Sequence, residues 1–243
     1  DNIVARALDA LSKVMMKFIS VIMLYAPIGL GAYFASLIGE FGPQLLGAYA
    51  RAMVVYYPLC VFYFFVFFAL YTYYSGGMEA VKSYFKNIVE PSVTSIATQS
   101  SIATLPTELR AAQRIGVPKD IRDIILPIGA TAHMDGTVLS SILKISFLFG
   151  IFGQEFAGIG TYLTAIGLSI LGGVVMSGVP GGGLIGEMLI VNMYGFPPEA
   201  FPIIATIGFL VDPPATWINS TGDTVAAMMV TRIIEGKDWI AKK

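Results

Sequence analysis

The chain has 243 residues, of which 56% are hydrophobic and only 13% are charged, and its mean hydropathy is +0.74. This composition indicates a membrane protein, because a soluble domain of the same length needs far more polar surface. The single cysteine, Cys60, excludes an internal disulfide, and a net charge of −1 gives no reason to expect nucleic acid as a partner.

Two uninterrupted apolar stretches open the chain, at about 14–38 and about 52–74. A helix that spans a bilayer needs about 20 apolar residues, so each stretch is long enough. We therefore predict a transmembrane helix within residues 1–50, and a second one followed by a cytoplasmic connector within residues 51–90.

After residue 90 the apolar runs become shorter and are cut near their middles by Pro, Gly, Ser and Asp. Broken backbone at membrane depth is tolerated only where protein or water covers it, and paired interrupted segments mark the binding site of many transporters. The pattern predicts an all-α membrane protein whose residues 91–243 contain two re-entrant hairpins and two broken helices. We place these segments, in chain order, at about 91–115 (re-entrant), 121–152 (broken), 158–195 (re-entrant) and 200–233 (broken).

The distribution of lysine and arginine gives an independent indication of topology. With a cytoplasmic N-terminus, every lysine and arginine except Arg51 and Lys144 falls on the cytoplasmic side, where such residues accumulate. This holds only if 91–115 enters and leaves from the cytoplasm and 158–195 from outside. The charge bias therefore favours the two hairpins.

Few ionisable residues lie within the apolar regions, and a charge at the bilayer centre costs from about 2.5 kcal/mol upward, so each is a functional candidate. Asp135 stands between His133 and Gly136, where a helix break would free carbonyl oxygens. Carboxylate and carbonyl oxygens together suit a hard cation. The six candidates are His133, Asp135, Lys144, Glu187, Asp212 and Asp223.

The motif "NSTGD" at 219–223 offers the same chemistry a second time. Asn219 and Asp223 are four residues apart, which places both side chains on one face of a helix. The sequence thus predicts cation ligands in both broken helices.

Five ordered motifs carry a resemblance: "YAPIG" (25–29), "TQSSIATLP" (98–106), "GATAHMDGT" (129–137), "SGVPGGG" (177–183) and "NSTGD" (219–223). Their order and spacing resemble the dicarboxylate/amino acid:cation symporters, the family of glutamate and aspartate transporters. The resemblance extends along the whole chain but only to the family's C-terminal portion, from its fifth transmembrane helix onward. It therefore implies N-terminal helices of the same transporter as a further partner.

The resemblance implies an elevator-type symporter, not an enzyme, in the inner (plasma) membrane of the cell. Residues 91–243 would form a transport core that slides against a trimeric scaffold, to which the helix in 1–50 would belong. The implied partners are the lipid bilayer, two further copies in a homotrimer, a small amino acid substrate and sodium as coupling ion, with no other cofactor.

The resemblance also implies sodium ligands. Asp135 would coordinate one ion, Asn219 and Asp223 would share a second with two backbone carbonyls, and a third would lie against the second hairpin. The full implied set is Gly129, Thr131, His133, Met134, Asp135, Asn219 and Asp223.

For the substrate, the resemblance assigns its ammonium to Asp212 and its α-carboxylate to Asn219. The tips of the two hairpins would close over it. The full implied set is Ser100, Ser101, Thr137, Val179, Gly182, Asp212, Ala215, Thr216 and Asn219.

Several residues depart from the family pattern. Acidic-substrate members carry an arginine where this chain has Ala215, and Gln99 replaces the arginine that some members carry in the first hairpin. Because a buried carboxylate needs a partner such as a bidentate guanidinium, we expect a neutral amino acid as substrate, with an acidic amino acid or a dicarboxylate as the alternative.

Two further departures concern the coupling ion. His133 replaces an asparagine of the family, which leaves sodium and proton coupling both open. Ser141 replaces the glutamate linked to proton coupling in animal members, which argues against that route.

Two other classes of function remain as alternatives. An intramembrane aspartyl protease could use Asp135 and Asp223, although neither flank matches the motifs of such enzymes, and a channel could be built from half-helices. Lys144 and Glu187 have no role in the family pattern, and we expect them to form an ion pair with each other.

Overall fold

A computed structural model of the protein describes residues 3–175 and 183–242. Every regular element in these ranges is helical, which confirms the predicted all-α class. The α-helices are α1 (Ile3–Phe41), α2 (Gln44–Phe62), α3 (Phe68–Asn87), α4 (Val89–Thr98), α5 (Ser101–Ile115), α6 (Lys119–Ala132), α7 (Asp135–Ile151), α8 (Ile159–Val175), α9 (Gly183–Tyr194) and α10 (Ala200–Glu235).

The chain divides between Gly47 and Ala48 into two compact units. The first unit contains α1, which extends the predicted span at 14–38 in both directions. The second unit contains the helices from α3 to α10 and every residue of the candidate site described below. The predicted division at residues 50 and 90 stays a prediction.

Within the described ranges, three helical segments are long and apolar enough to cross a membrane: Gln44–Asn87, Lys119–Ile151 and Ala200–Glu235. This supports the predicted multi-pass membrane protein.

The second predicted span, 52–74, was too short. Helix α2 continues through a π-helical turn, Tyr63–Phe67, into α3, which bends at Gly77, whose φ is 71°. Trp239 donates a hydrogen bond to the carbonyl of Ser75 at 2.8 Å, so a backbone acceptor at the bend is satisfied by a distant side chain. The helix therefore bends where the sequence indicated an end.

The predicted segment at 91–115 is a pair of packed helices, α4 and α5. The chain turns at Gln99, whose φ of 50° is left-handed, and the hydroxyl of Ser100 then caps α5 by accepting from the amide of Ala103 at 3.2 Å. At the other end Glu90 pairs with Arg110 and Arg114, at 2.6 and 3.2 Å. The glycine-rich turn of the second predicted hairpin falls at 176–182, outside the described residues, and α8 and α9 on either side of it pack against each other.

The last predicted span, 200–233, was wrongly expected to be broken. Helix α10 runs without interruption from Ala200 to Glu235, through Pro213 and Pro214. A proline in a helix leaves the carbonyl four residues earlier without its donor, and Tyr57 donates its hydroxyl hydrogen to that of Leu210 at 2.9 Å. Helix α10 is the centre of the second unit, since it contacts α3 to α7 and α9.

Candidate functional site at the break between α6 and α7

The chain leaves helical geometry at His133 (φ −101°, ψ 99°) and Met134 (φ −128°, ψ 52°), as the sequence predicted. The amide of His133 donates the last helical hydrogen bond of α6 to Gly129, at 2.8 Å. The amide of Val138 donates the first one of α7 to Met134, at 2.9 Å. The α6 carbonyls after Gly129 therefore lack intrahelical donors and can bind other groups.

Asn219 of α10 holds the start of α7. Its Oδ1 accepts hydrogen bonds from the amides of Gly136 and Thr137, at 2.8 and 3.3 Å, and its Nδ2 donates to the hydroxyl of Thr137 at 2.9 Å. Three of its hydrogen bonds thus fix α10 to the beginning of α7. This capping role was not foreseen for a residue expected to bind substrate and sodium.

Gly136 makes the approach of these helices possible. A Cβ atom there would lie 2.2 Å from the carbonyl oxygen of Ala215 and 2.7 Å from its Cα, so no other residue fits without moving the backbone. The carbonyl of Gly136 also accepts from the hydroxyl of the buried Tyr56 at 2.7 Å. The close packing of α7 against α10 therefore requires glycine at position 136.

His133 connects two carboxylates. Its Nδ1 lies 3.1 Å from Oδ1 of Asp223, and its Nε2 lies 3.4 Å from Oδ1 of Asp135. The other oxygen of Asp135, Oδ2, accepts a hydrogen bond from Tyr63 at 2.9 Å. Three residues that the sequence singled out are thereby brought together at the helix break.

Asp223 is fully buried, and its Oδ2 has no hydrogen-bond partner among the described residues. It packs against the last turn of α6, since a Cβ on Gly129 would lie 2.5 Å from its Oδ1. A buried carboxylate oxygen without a partner is costly, and a cation that also binds the nearby carbonyls would relieve that cost. The arrangement fits an oxygen-lined sodium site. The described residues contain no group of three His, Cys, Asp or Glu side chains that could hold a metal ion, so backbone or amide oxygens would have to complete the shell.

The residues expected to bind substrate lie along α10 and the start of α5. Thr216 donates to Oδ1 of Asp212 at 3.3 Å, and both side chains lie one to two turns before Asn219. The hydroxyls of Ser101 and Ser220 are 3.2 Å apart, which brings the turn after Gln99 to the middle of α10. Asp212, Thr216 and the serine turn thus lie along the α10 segment that also carries Asn219.

Some predicted site residues are not brought to this cluster. Thr131 is exposed, and its hydroxyl donates to the carbonyl of Ile128 at 2.9 Å. Met134, by contrast, lies beside the cluster, since its Sδ accepts a hydrogen bond from the hydroxyl of Thr137 at 3.9 Å. It also contacts α8 of the second predicted hairpin, where a Cβ on Gly173 would lie 3.5 Å from its Cβ. Val179 and Gly182 lie outside the described residues.

Lys144 and Glu187 form the predicted ion pair. The Nζ of Lys144 on α7 donates to Oε1 of Glu187 on α9 at 2.9 Å. Both side chains are buried, with exposed fractions of 5% and 3%.

Glu108 on α5 was not predicted as a site residue. It is a fully buried carboxylate whose two oxygens have no hydrogen-bond partner among the described residues. It interacts electrostatically with Asp223. Helical periodicity could have identified it, because it shares the buried face of α5 with Ser101, Thr104 and Ala111, at spacings of three and four residues.

The chain is similar to a known family of cation symporters. The model of the sodium:dicarboxylate symporter family matches residues 1–233. The chain is 27% identical to human excitatory amino acid transporter 2 over 91% of its own length and 39% of the relative's. It is 28% identical to rat excitatory amino acid transporter 4, over 93% and 40%. It is 25% identical to the proton/sodium-glutamate symport protein of Bacillus subtilis (strain 168), over 92% and 52%. The chain thus spans about two fifths to one half of the length of these relatives.

Proposed function

Since this chain belongs to the sodium:dicarboxylate symporter family, we propose that it contributes the cation and substrate site of a secondary active symporter. The family and these relatives are transporters and not enzymes, which leaves no support for the protease alternative. The observation that carries the proposal is the buried Asp223 beside the broken end of α6, whose Oδ2 has no hydrogen-bond partner in the described part of the chain. Sodium is the coupling ion that the family's description supports.

The proposed substrate is an acidic amino acid or a dicarboxylate, the alternative weighed above. The family description names dicarboxylates, and the name of the Bacillus subtilis relative specifies glutamate. These names support an acidic substrate more than the neutral amino acid that Ala215 suggested. The ammonium of an amino acid would bind Asp212, and its α-carboxylate would lie near Asn219 and the serine turn at Ser100 and Ser101.

The proposal includes an elevator movement of residues 91–243 and a trimeric assembly in the plasma membrane. The family resemblance supports both. In this scheme the sodium ligands would be the residues of the α6–α7 break together with Asn219 and Asp223.

The test is uptake by the protein reconstituted in lipid vesicles. We expect saturable uptake of L-aspartate, L-glutamate or succinate that requires an inward sodium gradient, and weaker uptake of L-alanine and L-serine. A cation or anion current without saturable, sodium-dependent uptake would select the channel alternative. Faster uptake of the neutral amino acids would instead support a neutral amino acid as the substrate.

A further inference from the structure

Lys144 is the only buried lysine or arginine among the described residues. It extends from α7 toward α9, where its Nζ donates to Oε1 of Glu187 at 2.9 Å. A buried ammonium is costly unless its charge and its donors are matched, so its position needs an explanation beyond solubility.

The pair is incomplete as a purely structural ion pair. Oε2 of Glu187 has no hydrogen-bond partner within residues 3–175 and 183–242. In the same ranges the Nζ of Lys144 makes a single hydrogen bond, although an ammonium has three donors. A buried pair stabilises a fold only when its remaining donors and acceptors are satisfied. Here both partners keep hydrogen-bonding capacity that a bound ligand could use.

The pair lies beside the residue expected to receive the substrate ammonium. The carboxylate of Glu187 covers Gly208 of α10, where an added Cβ would lie only 1.8 Å from Oε1, far closer than van der Waals contact allows. Gly208 lies four residues before Asp212, on the same face of α10. Asp212 interacts electrostatically with both Lys144 and Glu187. The ion pair and Asp212 therefore form one charged cluster between α7, α9 and α10.

An acidic substrate brings a second carboxylate into this cluster. Such a group cannot be buried without a cationic partner, and Ala215 replaces the arginine that the resemblance associates with acidic substrates. We propose that Lys144 binds the second carboxylate of an acidic substrate and that its ion pair with Glu187 breaks when it does so. This inference rests on the proposed acidic substrate and makes Lys144 the residue that determines substrate class.

The charges of the cluster give the proposal an unusual consequence. Asp212 and Glu187 contribute two negative charges and Lys144 one positive charge, and the substrate ammonium balances the remainder. A second substrate carboxylate then competes with Glu187 for the same ammonium. Removing the charge of Glu187 should therefore strengthen the binding of an acidic substrate. If the ion pair only supported the fold, the same change would break the pair without strengthening that binding.

The experiment compares L-aspartate with L-asparagine, which has the same shape without the second negative charge. Binding to the purified protein at saturating sodium is measured for the parent, Lys144→Gln, Glu187→Gln and, as control, Lys82→Gln, which changes an exposed lysine of α3. Lys144→Gln should lose aspartate affinity by roughly tenfold to one hundredfold, the range of a hydrogen bond to a charged group, with asparagine little changed. Glu187→Gln should bind aspartate more tightly, and Lys82→Gln should match the parent.

An equal loss of both ligands in Lys144→Gln, or weaker aspartate binding in Glu187→Gln, would overturn the proposal in favour of a structural ion pair. If the parent binds neither aspartate nor succinate, the proposed acidic substrate is wrong. If the parent binds them and Lys144→Gln binds them equally well, only the proposed role of Lys144 is wrong.

A double variant covers the case in which Lys144→Gln does not fold because Glu187 is left unpaired. Lys144→Gln/Glu187→Gln removes both charges, and its aspartate binding is compared with that of Glu187→Gln. Weaker aspartate binding by the double variant then supports the proposal, and equal binding contradicts it.

Discussion

The Nδ1 atom of His133 lies 3.1 Å from Oδ1 of Asp223, so the histidine of the helix break contacts a fully buried carboxylate of α10. The same ring lies 3.4 Å from Asp135. Each carboxylate therefore has one oxygen near the imidazole, and Oδ2 of Asp223 is left without a partner in the described part of the chain. A coupling cation would have to share these carboxylates with the histidine.

The first prediction removes one carboxylate at a time. Asp223→Asn and Asp135→Asn should each lower sodium affinity by about tenfold or more, because the cation loses both charge and an oxygen donor. Sodium titration of thermal stability measures the effect, with Glu79→Gln on an exposed position of α3 as control. Sodium titrations that match the parent in both variants would contradict the assignment of the cation site.

The second prediction concerns His133→Asn, which restores the asparagine of the family. An amide oxygen is a better ligand for a hard cation than an imidazole, and the shorter side chain frees the oxygen of Asp223 that the ring contacts. We expect half-saturation at a lower sodium concentration. His133→Val, which removes the ring without supplying an oxygen, should gain less.

A competing account gives His133 a proton that moves in place of one sodium ion. In that case His133→Asn should lower the number of protons moved per substrate or raise the sodium requirement. Transport against imposed sodium and proton gradients separates the two accounts. Identical behaviour of parent and variant under both gradients would leave the histidine as packing alone.

The sequence predicted the broken helix at 133–135 because a histidine, an aspartate and a glycine interrupt an otherwise apolar run. It did not predict the continuity of α10, because the donor that satisfies Leu210 is the hydroxyl of Tyr57, 153 residues away. The cap by Asn219 was missed for a similar reason. A contact between side chain and backbone on separate helices has no local pattern, whereas charges in an apolar run do.

The third prediction tests the close approach of α7 and α10. Gly136→Ala should destabilise the protein by about 1–3 kcal/mol or more, because its Cβ meets the backbone of Ala215, which has no rotamer to change. Gly150→Ala is the matched control on the same helix, since no atom lies within 4 Å of its added Cβ. That variant should be neutral or stabilised by up to about 1 kcal/mol through helix propensity. Equal melting temperatures for the two variants would contradict the packing at Gly136.

The fourth prediction concerns the ion pair at the base of α4 and α5, just before the predicted re-entrant segment. The hydrogen bond from Arg110 lowers the pKa of the Glu90 carboxyl, and the charges of Arg110 and Arg114 lower it further. A lowered folded-state pKa means that the contribution to stability is fully present above the ordinary value near 4.5 and is lost as pH falls through the lowered one. The melting temperature of the parent should therefore exceed that of Glu90→Gln by a constant amount above pH 6, and the difference should shrink below about pH 4.5. Glu155→Gln, at an exposed position, serves as control, and a difference that does not depend on pH would exclude the ion pair as its cause.

The last prediction asks whether a cation on α10 can replace Lys144. Position 215 lies three residues after Asp212, close to one helical turn, and the resemblance places an arginine there in acidic-substrate transporters. In a Lys144→Gln background, Ala215→Arg should restore aspartate binding toward the parent, because a guanidinium can bind the second carboxylate bidentately. Ala215→Gln in the same background supplies length and hydrogen-bond donors without charge and should not restore aspartate binding.

Because Ala215 is buried, at 3% exposed, sodium-dependent thermal stabilisation of each variant must first show that the variant is folded. Equal aspartate affinities in the arginine and glutamine variants would mean that charge at this position does not compensate for Lys144, and that its pairing with Glu187 serves the fold.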